Sequence, residues 1–161
     1  MTPPDIIHTL EKTLVGLHRT MSLADDHTQA LWGTFMPLRQ QIAHRCHDDL
    51  FSLQVYPSGY FEEFNPHRPF EKWAAVEVSN SEHLPQGMDV FRLPAGLYAV
   101  FPHQGAEDAR EKFQYIFTEW LPRSGFDLDE RPHFEQLGAQ YRHGSPDSEE
   151  SIWIPVRKRG E

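Results

Sequence analysis

GLYAVFPHQGAEDAREKFQYIFTEWLP, residues 96–122, joins a strand-like stretch to an amphipathic one and sets the unit in which the chain is read. Val90 to Phe101 reads as a strand, and from Glu107 to Leu121 the residues Phe113, Ile116, Phe117 and Trp120 recur at helical spacing. Pro122 cannot continue that helix, and Ser124-Gly125 follows just past it. Closing strands are expected near His133 to Leu137 and Ser151 to Val156, with an exposed Gly-, Ser-, Pro- and Asp-rich loop over Arg142 to Glu149 between them. The order is β-α-β-β.

The same order stands earlier in the chain. An apolar run at Leu14-Val15-Gly16-Leu17 precedes Thr28 to Arg45, where Leu31, Trp32, Phe35, Leu38 and Ile42 carry a helical stripe. Phe51 to Tyr56 alternates as a strand does, and Trp73 to Val78 follows the loop Pro57 to Pro69. Gly16-Leu17 matches Gly96-Leu97 at an offset of 80 (96 − 16), and Phe35-Met36-Pro37 matches Trp120-Leu121-Pro122 at 85 (120 − 35). Both offsets are near half the chain, with Pro85-Gln86-Gly87 between the halves. The expected fold class is therefore α+β. Duplicated β-α-β-β units, about 5–80 and about 88–157 of one domain over 1–161, make a mainly antiparallel sheet with two helices on one face and a ligand cleft between the halves.

Composition narrows the function. With 161 residues the chain can bury a core without disulfides, and its single Cys46 forms no internal disulfide. No secretory leader is read at the N-terminus, and no window approaches the roughly 18 apolar residues of a membrane span, so a soluble, cytoplasmic protein is expected. A net charge of −9 repels phosphate backbones, so no direct DNA binding is expected; Arg157-Lys158-Arg159 reads as a solvated tail. His44-x-x-His47 around Cys46 reads as an exposed helix end, so no metal site is expected. Nucleophile-elbow, Walker and dinucleotide glycine signatures are absent from the sequence, and no cofactor is expected.

Four stretches carry a family resemblance: WAAVEV (73–78), GLYAVFPHQG (96–105), FTEWLPRSGFDLDERPHFE (117–135) and SIWIPVRK (151–158). Together they resemble the GyrI-like small-molecule-binding family, which includes effector-binding domains of AraC-type and MerR-type multidrug regulators. The resemblance implies a duplicated β-α-β-β fold whose cleft takes bulky hydrophobic, often cationic compounds between aromatic walls and a buried carboxylate. The expected partner is thus a small lipophilic, cationic aromatic ligand, and the expected role a stand-alone sensor or sequestering module linked to transcription regulation. The repeats run from near residue 10 to 156, leaving no expected helix-turn-helix fusion. Relatives often carry Glu directly before the I-x-I-P strand, where this chain has Ser151 after Glu149 and Glu150. Two alternatives stay open: a hydrolase of reactive small molecules with Glu77 or Glu135 and Tyr98 as catalytic groups, and a protein inhibitor of the gyrase type.

A hydrophobic cation is held by aromatic faces and a carboxylate. Period two puts Trp73, Ala75 and Glu77 on one face of their strand, as a ligand wall or as a half-exposed surface with Glu77 in water. Trp120 either packs the core or walls the cleft, and Tyr98 points away from Leu97 and Ala99 with a hydroxyl that needs a partner. Trp153 stands opposite to Ile152 and Ile154, Trp32 and Phe35 read as core or ligand wall, and Glu135 is a further acid near these rings. The expected site pairs Glu77 with Trp120 in one cleft.

Overall fold

The computed structural model describes residues 2–104, 109–138 and 149–160; of the loop expected over 142–149, all but Glu149, which begins the last strand, lies outside them. Among the described residues, nine strands form β1 (Asp5–Thr9), β2 (Lys12–Met21), β3 (Leu50–Val55), β4 (Phe70–Glu77), β5 (Asp89–Leu93), β6 (Gly96–Gln104), β7 (Phe126–Leu128), β8 (His133–Leu137) and β9 (Glu149–Lys158). Helix α1 spans Thr28–Phe35 and α2 Ala109–Tyr115. The sheet runs β1-β6-β9-β8-β3-β4-β2-β5, with β7 beside β9. Every one of these pairings is antiparallel.

That order is a palindrome of equivalent strands about the β8–β3 junction. Leu53 stands opposite Phe134 there. Each half opens with a short strand not expected from the sequence, and these strands are exchanged: β1 pairs with β6, and β5 with β2. Pro94, which has no N–H for a ladder bond, lies between β5 and β6, where a single strand from Val90 to Phe101 was expected. The strand starts give the repeat offset. Asp5 corresponds to Asp89 and Lys12 to Gly96, both shifts of 84 (89 − 5 and 96 − 12). Gly16 therefore matches Val100 rather than Gly96, while Phe35 and Trp120, 85 apart, stay near equivalence.

Both helices are shorter than their hydrophobic stripes. Asp26 Oδ1 accepts from the Thr28 amide (2.8 Å) and hydroxyl (2.6 Å), which fixes the start of α1. Pro37 then lacks the donor that would continue the α-helical ladder, and Met36–Gln41 tightens into a 3-10 turn. After α2 the chain widens into a π-turn over Ile116–Trp120 before a last turn at Leu121–Arg123 that contains Pro122.

Period two divides the core into layers. Ala74, Val76 and Val78 turn toward α1 and pack with Leu31 and Phe35, while Ala99, Phe101, Ile152 and Ile154 pack with Ile116 of the second helical segment. A third cluster, with Phe51, Leu53, Trp73, Tyr98 and Phe134 buried, contains only strand residues. No helix of the described residues is long and apolar enough to cross a membrane.

Candidate functional site

A groove of about 530 Å³ lies on the helix-bearing face above the junction of the two halves. Gln29 and Trp32 of α1 and Met36 of the 3-10 turn form one wall, with Asp26 and Thr28 at its end; Leu50 and Ser52 of β3, Glu135 and Leu137 of β8, and Glu150 of β9 form the floor. Register explains why these residues meet. Ser52 pairs with Glu135, and Leu50 with Leu137, which in turn faces Glu150.

Its electrostatics are dominated by carboxylates. Gln54 Nε2 donates to Glu135 Oε2 at 3.1 Å, which orients that acid. Glu150 is 12% exposed, with Oε1 3.4 Å from His103 Nε2. Burial first, then repulsion from Glu135, push the Glu150 carboxyl up to about 7, against the pull of Lys72. Lys72 on β4 is 8% exposed. Burial lowers its pKa, opposed by Glu135, Asp26 and Glu150. Asp26 is also partly desolvated, but the two bonds from Thr28 outweigh this and hold its pKa low. With all groups ionised, three acids face one ammonium. The groove is a net anionic, partly apolar trough with one indole on its wall.

Of the residues expected at the site, the structure puts Trp32 and Glu135 in this groove. Phe35 stands beneath α1, fully buried, with Trp32 edge-on at 5.7 Å. Trp73, Tyr98 and Trp153 belong to the strand-only cluster on the opposite face. Trp73 stacks on His18 at 4.3 Å, and Trp153 stacks on Phe134 at 5.0 Å while donating to Ser151 Oγ at 2.8 Å. The Tyr98 hydroxyl donates to the Pro132 carbonyl at 3.0 Å. Glu77 follows Trp73 by parity and binds His47 Nε2 (3.1 Å) and Lys12 (3.8 Å).

Glu77 and Trp120 therefore do not share a cleft. Helices cover the face of Ala74, Val76 and Val78, which turns Glu77 the other way. Trp120 packs edge-on against Phe101 at 5.2 Å and lines a separate hollow with Tyr115 and Glu119. The catalytic grouping of Glu77, Glu135 and Tyr98 is likewise divided between two faces of the sheet. Among the described residues no three His, Cys, Asp or Glu side chains converge to hold a metal. His44 to His47 lies in a loop after the 3-10 turn rather than at a helix end.

Sequence reasoning missed Lys72 and Asp26 and named Glu150 only as a neighbour of Ser151, where relatives often carry Glu. The parity of β9, which puts Glu150 with Ile152 and Ile154, was the available signal.

A duplicated antiparallel sheet with two helices over one face and a groove at the pseudo-dyad defines an effector-binding fold of the GyrI-like type. The chain belongs to the Cass2 family of integron-associated effector-binding proteins, whose model matches residues 5–156. It is 30% identical over 146 residues to the transcriptional regulator BrlR of Pseudomonas aeruginosa, covering 89% of this chain and 52% of BrlR. A DNA gyrase inhibitor of Erwinia billingiae is 35% identical over 88 residues, 52% of this chain and 56% of that protein. The chain thus spans about half the length of the curated relatives it matches. Among solved structures, SAV2435 bound to tetraphenylphosphonium has the same fold, with a TM-score of 0.64 at 20% identity over 97% of this chain and 94% of that one.

Proposed function

We propose that the groove under α1 captures a small lipophilic cation and that the chain acts as the ligand-sensing module of a regulatory system. The observation that carries this reading is the union of Trp32 and Met36 with Asp26, Glu135 and Glu150 over one floor. An apolar cation gains from the indole face and from carboxylates whose own burial is costly until a counter-charge arrives. The complex of SAV2435 with tetraphenylphosphonium supports the choice of that cation as a probe. The family match supports effector binding, and the likeness to BrlR supports the link to transcription.

The experiment is calorimetric titration with tetraphenylphosphonium across pH 5.5–8.5. Glu150 is largely protonated below about 7, so a bound cation must displace its proton there. Affinity is expected to rise with pH through that region, by up to about tenfold per unit on the acid side, and to level above it. A flat profile would remove Glu150 from the site.

Lys72 opposes the ligand. Its ammonium already offsets part of the carboxylate charge, so Lys72→Met is expected to tighten cation binding by about tenfold at pH 8.5. The same change should raise the pH at which affinity levels, because Lys72 is what holds the Glu150 pKa down. Titration of the variant beside the parent at two pH values checks both effects.

A further inference from the structure

A second cavity of about 400 Å³ is lined by Tyr56, Tyr60 and Phe61 from the first half and Leu128, Arg131 and His133 from the second. It is a built site. Arg68 donates to the carbonyls of Gly59 (2.8 Å) and Ser58 (2.9 Å), fixing the loop after β3, and Ser58 Oγ reaches across to Glu130 Oε1 at 3.0 Å. His133 is only 6% exposed. Phe61 stacks on its ring at 5.1 Å and Tyr56 meets it edge-on at 5.0 Å. Among the described residues no hydrogen bond reaches either ring nitrogen of His133, and these nitrogens are not sealed from solvent, so the imidazole opens onto the cavity. A neutral imidazole offers one donor and one acceptor nitrogen, and one that opens onto a cavity between aromatic walls can take a hydrogen bond from a partner outside the chain.

We propose that this cavity is a second binding site, for a flat aromatic group carrying an O–H or N–H that donates to His133. Rings of phenol or indole type match the aromatic lining, and the volume lies within the usual range for small-molecule sites. Burial holds the His133 pKa down to about 3, so the ring is neutral and keeps one acceptor nitrogen across the neutral range. The charged groups lining the cavity are three acids, Glu62, Asp129 and Glu130, and two bases, Arg131 and Arg157, with Arg131 paired to Asp129 at 3.1 Å. The site stands independently of cation capture in the groove.

The test is fluorescence titration of the full chain with 2-naphthol and with 2-fluoronaphthalene, which has the same ring system without the donor. The parent is expected to bind 2-naphthol about tenfold tighter, and His133→Phe to bind the two alike. His133→Gln, which restores an acceptor, is expected to recover part of the preference. In the parent alone, ¹⁵N spectra should show one His133 ring nitrogen shifting with 2-naphthol and not with 2-fluoronaphthalene, which serves if a variant fails to fold. No binding of 2-naphthol, equal affinities in the parent, or a preference that survives in His133→Phe overturns the proposal. Trp32→Ala should weaken tetraphenylphosphonium and leave the 2-naphthol preference intact, so failure of one site is distinguishable from failure of the other.

Discussion

Glu135→Gln combined with Glu150→Gln is expected to weaken tetraphenylphosphonium binding at pH 8 by about 100-fold, roughly 2.7 kcal/mol. Each change keeps the side chain's shape and removes one charge. Glu135 keeps a hydrogen-bond partner in Gln54, and Glu150 lies beside His103, so the groove is expected to hold its form. An uncharged ligand of similar size, such as triphenylmethanol, should lose less than about threefold, since its contacts with Trp32, Met36 and Leu137 remain. Calorimetry on both ligands separates charge from shape. Equal losses would mean that the substitutions disturbed the groove itself, and no loss for the cation would leave the carboxylates without a role.

Gly16→Ala is expected to destabilise the fold by about 3 kcal/mol, measured by urea denaturation. A Cβ at Gly16 would run into the Ala74 carbonyl oxygen and stand 2.7 Å from Ala75 Cα. Both are backbone atoms of the paired strand β4, so no rotamer change relieves the clash. Gly33→Ala, on the open side of α1 with nothing within 4 Å of the new atom, serves as the contrast and should be neutral or slightly stabilising. A Gly16→Ala variant as stable as the parent would contradict the close β2–β4 approach.

That glycine shows where the sequence was and was not legible. Gly16 and Gly96 look like repeat landmarks, yet they occupy different positions in their halves. Gly16 is required by β4, whereas a Cβ at Gly96 would meet the Arg131 guanidinium. The duplication was readable from the order of hydrophobic patterns, because each half must bury a helical stripe against alternating strands. The leading strands β1 and β5 were not, since each completes its pairing in the other half and carries no local sign of that partner.

Faces were legible only in part. Alternation correctly grouped Trp73 with Glu77, and set Tyr98 opposite Leu97 and Ala99, because parity is a local property of a strand. Which of two apolar faces the helices cover is a tertiary fact. Trp73, Ala75 and Phe51 face a core built by strands alone, a layer that a two-layer expectation does not contain. The polar run of Ser52, Gln54 and Lys72 on the helix-bearing face was the readable hint. Polar residues are mostly exposed, so Ser52, Gln54 and Lys72 buried at strand centres are informative, whereas large aromatics pack in either layer.

A crystal structure of the full chain soaked with tetraphenylphosphonium shows which face of the sheet holds the cation. The cation is expected over β3 and β8, with a phenyl ring on the Trp32 indole and the phosphonium centre near the carboxylates of Glu135 and Glu150. Density for the cation on the opposite face of the sheet, beside Trp73 and Glu77, or only beside Trp120, would contradict this placement.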